Sequence, residues 1–247
     1  MRLATKRITS LTCAAALMIS LAACSSTTAS SSESTAEGTS MSAPGEGTPP
    51  DKPDGEGGGP GGQGGPGGGF GGSGTVTQGT SANTIDTDAT VYSESYESTG
   101  DDENALRVDG ATVTLSGVTV SKSAGKSSNT EDGDFYGQNA ALLATNGATV
   151  TIENSTITSS AQNGNGVFSY GEGTTVNISD STITTSADNS GGIQTTGGGT
   201  TNASNLTVET SGNSAAAIRS DRGGGTVNVD GGTYTSNGEN SPAVYST

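Results

Sequence analysis

The chain has 247 residues, 41 of them glycine and none of them tryptophan or histidine, and carries a formal net charge of −16. Without histidine, a Ser-His-Asp triad and a histidine-ligated metal are excluded, and a chain this acidic has no electrostatic attraction to nucleic acid or anionic lipid. The only cysteines, Cys13 and Cys24, lie near the N-terminus, so everything after them is built without disulfides.

Arg2, Lys6 and Arg7 precede an apolar run from Leu11 to Ala23. That run is too short to cross a bilayer as a mature helix but has the length of an export h-region. It closes on Leu21-Ala22-Ala23-Cys24. This resembles the lipobox of bacterial lipoproteins, and the resemblance implies removal of residues 1–23 as a signal peptide and lipidation of Cys24. The alternative is an ordinary secretory signal with an incidental cysteine. The polar stretch SSTTASSSES after Cys24 favours the lipobox, because an anchored protein needs such a tether. Loss of the leader removes three cations and no anion, leaving −19, so membrane attachment is expected through acyl chains alone.

Residues 24–74 are Ser/Thr-rich and then Gly/Pro-rich. Such a composition cannot bury enough apolar surface to offset its ordering entropy, which predicts a disordered tether spanning roughly 40 Å. The Gly-X-Y period of collagen is not kept, and a G-x-G-x-x-G match there has no preceding strand to give it meaning.

Residues 75–247 repeat. Three apolar columns recur: Leu106, Leu142, Val167, Ile193, Ile218 and Val244; then Val113, Val150, Val176, Thr201 and Val227; then Val120, Ile157, Ile183, Val208 and Tyr234. Second to third is always 7 residues, third to the next first is 10 except across an insertion of 12 after Val120, and first to second is 7 to 9. Ala89 and Tyr96 fit the same spacing as a partial upstream copy. Around each column the residues alternate, as in TVTL, TVTI, TVNI and TVNV, which predicts strands with one buried face. No stretch shows the i, i+3, i+4 period of a crossover helix. The expected fold is therefore all-β, a right-handed parallel β-helix with three short strands per ~25-residue coil, whose stacked coils enclose a common interior. The chain stops in mid-coil after Val244, so further coils are expected beyond Thr247.

Polar columns accompany the apolar ones. Asn163, Asn189 and Asn240 lie four residues before the first column, and Asn177, Asn202 and Asn228 one residue after the second. Either amide ladders or simple turn preference accounts for them. Outward Thr-x-Thr arrays resemble those of ice-binding β-helices, but Asn and Glu209 interrupt them, and threonine suits any exposed strand.

The outward side of the first strand differs. It carries Arg107, Leu143, Phe168, Gln194, Arg219 and Tyr245 in one file, with Asp109, Thr145, Tyr170, Thr196 and Asp221 beside it. The insertion, within KSAGKSSNTEDGDFYGQ, adds Phe135 and Tyr136 at the start of this strand. Aromatic faces flanked by Arg, Gln and Asp are the equipment of a sugar-binding groove. The candidate ligand-binding residues are Phe135, Tyr136, Phe168, Tyr170, Gln194, Arg219, Asp221 and Tyr245. The competing reading is a mixed face whose apolar members pack under the insertion. Asp132 and Asp134 within NTEDGD offer calcium oxygen ligands, but their spacing is not that of an EF-hand, and a solvated acidic loop fits better. No cofactor and no metal site is otherwise expected.

Over about residues 89–247 the periodicity resembles the right-handed β-helices of the pectin-lyase-like superfamily. For an enzyme, that resemblance implies acidic calcium ligands and an Arg or Lys base in a groove. Asp188, Arg219, Asp221 and Arg222 are available for such roles, but no matched motif assigns them, and arginine is a poor base. No catalytic residue is therefore designated. The expectation is a monomeric bacterial surface lipoprotein, adhesin-like, that presents its β-helix to extracellular polysaccharide or a cell-surface partner. A polysaccharide lyase or hydrolase and a structural stalk are the alternatives.

Overall fold

The computed structural model describes residues 75–247. The expected signal peptide, the lipidation site Cys24 and the 24–74 tether lie outside the described residues.

The repeats wind into a parallel β-solenoid of about six turns. Three long sheets run along it. Sheet I has seven strands, from Thr84–Ile85 to Val244–Ser246; sheet II has six, from Ala89–Tyr92 to Gly225–Asp230; sheet III has six, from Ser95–Ser98 to Thr233–Ser236. A two-stranded ladder of Thr80–Ser81 on Glu103–Asn104 completes the pairing. The predicted columns are the observed registers. Leu142 pairs with Leu106 and Val167, Val150 with Val113 and Val176, and Ile157 with Val120 and Ile183. The reason is the period of two: in Thr149–Glu153 and Thr175–Ser179, Val and Ile are buried while the Thr and Asn between them are half-exposed. A one-residue slip would turn every inward Val or Ile to water, which fixes the register. The interior is one continuous cluster running from Ala105 to Ile218.

Backbone strain explains half of the asparagines. Asn163, Asn189, Ser214 and Asn240, at the corner leading from sheet III to sheet I, all have φ between 52° and 57°. Asn154, Asp180 and Asn205, with Gly117 and Gly231, have φ between 49° and 68° at the corner from sheet II to sheet III. Asn and Asp tolerate this left-handed region better than other side chains, so turn preference decides Asn163, Asn189 and Asn240. Asn177, Asn202 and Asn228 do form a ladder, Asn202 Nδ2 donating to Asn177 Oδ1 and Asn228 Nδ2 to Asn202 Oδ1, both at 2.8 Å.

Two features differ from the sequence reading. The upstream copy is fuller than Ala89 and Tyr96 alone, because Thr84–Ile85 already pairs with Arg107 and Val108 in sheet I. The acidic insertion is not a loop but contains a helix, α1, over Thr130–Tyr136. Asn129 caps it by accepting from the Glu131 N–H at 3.0 Å, Glu131 and Asp132 sit in the first turn where the helix dipole favours anions, and Gly137 ends it at φ 76°. Seven residues are too few for a helical period to appear.

A polar file lines the inner corner after sheet III, with Ser98, Lys122, Ser159, Thr185 and Thr210 in register. Thr185 and Thr210 donate to the corner carbonyls of Ser190 and Ala215, and Ser159 Oγ accepts from Ala161 N–H. Lys122, fully buried, bonds the Gly100 carbonyl and, at 3.1 Å, Ser98 Oγ, which donates to Glu103 Oε2 at 2.6 Å.

Candidate binding cleft

Sheet I presents its outward file in the expected order: Arg107 beside Leu143, then Phe168, Gln194, Arg219 and Tyr245. Helix α1 lies over the middle of it. Thr196 Oγ1 donates to Phe135 O at 2.6 Å, Asn165 Nδ2 to Gly133 O at 3.3 Å, and Gln194 Nε2 to Asp134 O. The carbonyls that a helix C-terminus leaves unpaired are thus met by sheet I side chains. Gly133 and Gly137 set how close the helix can lie. A Cβ on Gly133 would stand 2.6 Å from Asn163 Cβ, and one on Gly137 2.8 Å from Leu143 Cδ1.

The consequence is a correction. Leu143 and Phe168 are fully buried with Ala140 in a small core beneath the insertion, and Gln194 is buried beside them. Phe168 offers no face for stacking and Gln194 is sealed from solvent, its Nε2 bonded to Asp134 O and its Oε1 buried without a partner, so the competing reading, apolar members packed under the insertion, holds for this stretch. Tyr136 meets Tyr170 edge-to-face, with centroids 5.6 Å apart, both half-buried. Phe135 lies under the Arg222 guanidinium at 4.0 Å, and Arg222 reaches Glu131 at 3.5 Å. These aromatics serve the helix seat.

Past the helix, the file opens. Arg219 donates through Nε at 3.0 Å and Nη2 at 2.7 Å to Asp221 Oδ2, and reaches Asp134 Oδ2 at 3.4 Å. Its guanidinium also lies 5.5 Å from the Tyr245 ring centre. Asp134 Oδ1 accepts from Asn163 Nδ2 at 3.0 Å. Burial pushes the Asp134 carboxyl above the ordinary carboxylate value, because Arg219 at 3.4 Å and the Asn163 amide only partly offset it. Burial alone would lower the Arg219 pKa, but its two carboxylate neighbours outweigh that and raise it.

Asp134, Arg219 and Tyr245 line a cleft of about 230 Å³ together with Asn189, Ser214, Ala216, Asn240 and Pro242. Of the expected site residues, Arg219 and Tyr245 line it, and Asp221 fixes Arg219 from below. Phe135, Tyr136, Phe168, Tyr170 and Gln194 do not line it. Asp134, assigned by sequence to a solvated loop, is the principal residue missed. Asn189, Ser214 and Asn240 were visible as a corner column, but nothing in the column told that its side chains wall a cleft. Among the described residues no group of three or more Cys, Asp or Glu is disposed to hold a metal.

Two larger hollows are less suited to a ligand. One, about 400 Å³, is a shallow depression along the Asn177–Asn202–Asn228 ladder of sheet II. The other, about 530 Å³, is lined by Ile218, Val227 and Val244, the inward side chains of the last coil, and so is the solenoid's own core.

Comparison of the chain with family models, with curated proteins and with solved structures found no match. The cleft offers an aromatic ring from sheet I, amide and hydroxyl groups from the corner before it, and a partly exposed carboxylate from helix α1.

Proposed function

We propose that the chain is a surface-anchored lipoprotein, tethered through Cys24, that uses the sheet I cleft to bind extracellular glycan in the manner of an adhesin. One observation carries the reading: the Tyr245 ring, 38% exposed, stands at the wall of a 230 Å³ cleft beside corner amides from Asn189 and Asn240. A sugar needs an apolar platform for its ring face and a surround of directional polar groups, and this cleft has both. The volume suits a single sugar unit of a longer chain. A stalk would need no such cavity. The lyase or hydrolase reading is weaker, because Arg219, the one cation in the cleft, holds its proton more tightly than a free arginine.

The test is oligosaccharide binding to the full-length chain, first on an array and then by calorimetry. Tyr245→Ala should weaken a detected affinity about tenfold. Tyr92→Ala, at a tyrosine 69% exposed on the outer face of sheet II, should change nothing. Equal affinity in wild type and Tyr245→Ala would refute this assignment.

A further inference from the structure

The charges around the cleft say which sugars it takes. Arg219 is the only cation lining it, and its strongest contacts, at 2.7 and 3.0 Å, go to Asp221 rather than to the open space. Its remaining reach, at 3.4 Å, goes to Asp134. Asp221 is saturated in turn: Oδ1 accepts from Arg222 N–H at 2.8 Å and from Thr247 Oγ1 at 3.2 Å. Two carboxylates thus face one guanidinium. The side-on edge of Arg219, Nε and Nη2, that would grip a ligand carboxylate bidentately is already committed to Asp221 and Asp134.

None of the other cations of the described residues, Arg107, Lys122, Lys126 and Arg222, lines the cleft. Arg107 donates to Asn104 and to the Gln78, Gly79 and Thr80 carbonyls at the far end of the file. Lys122 is inside the solenoid. Arg222 is spent on Phe135 and Glu131. With a formal charge of −16, the whole chain adds to the repulsion of anions. Asp134, by contrast, lines the cleft with a carboxylate whose nearest cation is shared and comparatively far.

We propose that the cleft selects amine-bearing sugars of the hexosamine class, whose ammonium completes the neutralisation of Asp134, and rejects uronates and other acidic sugars. This rests on the reading of the cleft as a glycan site and adds its charge preference. The rejection is as much a part of specificity as the attraction, since an unpaired like charge in a partly desolvated cleft is costly.

Three tetramers test it against the full-length chain by calorimetry: glucosamine, N-acetylglucosamine and galacturonic acid, each at low and high salt. The glucosamine tetramer should bind about tenfold tighter than its N-acetylated form, the gain expected of a charge-assisted hydrogen bond, and lose that advantage in high salt. The galacturonic acid tetramer should not bind. Asp134→Asn should erase the amine preference, so that the glucosamine and N-acetylglucosamine tetramers bind alike. The wild-type ranking decides the matter by itself if that variant misfolds. Galacturonic acid bound as tightly as glucosamine, in a manner lost with Tyr245→Ala, would overturn the charge preference and leave the glycan site standing. Absence of binding by all three, or binding indifferent to Tyr245→Ala, would overturn both.

Discussion

Lys122 sets an ammonium group at an inner corner where the neighbouring coils carry Ser98 and Ser159. It is held by the Gly100 carbonyl and Ser98, with the Glu103 carboxylate one hydrogen bond further on. Burial lowers the Lys122 pKa, and Glu103, Asp101 and Asp102 only partly restore it. The sign of the pH effect follows. Between its lowered folded value and the ordinary lysine value, the unfolded chain holds a proton that the folded chain has lost, so stability contributed at this site rises with pH through that window. Lys122→Met should abolish this alkaline rise. At neutral pH it should cost about 2 kcal/mol, since the Gly100 carbonyl and Glu103 lose their cation. Urea unfolding of both proteins at pH 7 and across the alkaline range checks this, and an unchanged midpoint at pH 7 would mean the ammonium is not part of the fold. The sequence placed Lys122 at the insertion but could not show which way it points, because the register of Lys122 against Ser98 and Ser159 is a property of the stack.

At the scale of elements, helix α1 decides what sheet I shows to solvent. Asn-Thr-Glu-Asp at its start suits an N-cap and an acidic loop equally well, and two helical turns carry no readable period. What commits the segment to a helix is its seat. Sheet I side chains meet its last carbonyls, and Gly133 and Gly137 let it approach. Gly137→Ala should lift it, because the position has φ 76° and a Cβ would press on Leu143 and Phe168. A loss of about 1–2 kcal/mol is expected, with faster hydrogen exchange over residues 130–136 and unchanged protection in sheets II and III. Faster exchange throughout would show instead that the helix is integral to the solenoid.

The molecule as a whole is held by contacts between successive coils. Each coil touches chiefly its two neighbours, so stability is nearly a sum of coil and interface contributions. Ile183, in the middle of the third column, is fully buried between Ile157 and Val208. Ile183→Ala should cost about 3 kcal/mol through lost burial and the cavity left behind. Val244→Ala, at a side chain 63% exposed in the last coil, should stay within about 0.5 kcal/mol. Thermal or urea unfolding of the two variants checks the contrast, and equal losses would contradict a neighbour-coupled stack.

The amino-acid sequence by itself determined the strands, the stacking registers and the outward files, because an alternation of two and a repeat of fixed length leave only one way to bury Val, Ile and Leu together. It also marked most of the left-handed corners, where Asn, Asp and Gly bear a positive φ and only Ser93 and Ser214 depart from that set among the described residues. Only the tertiary structure decided which part of the outward file is a surface. The insertion returns across the sheet to cover Phe168 and Gln194, and it brings Asp134 to Arg219 across 85 residues of chain. A local pattern records which side of a strand a residue faces. It holds no record of what a distant segment later lays over that side, since that depends on the shape and unpaired groups of two surfaces that exist only once the coils are wound.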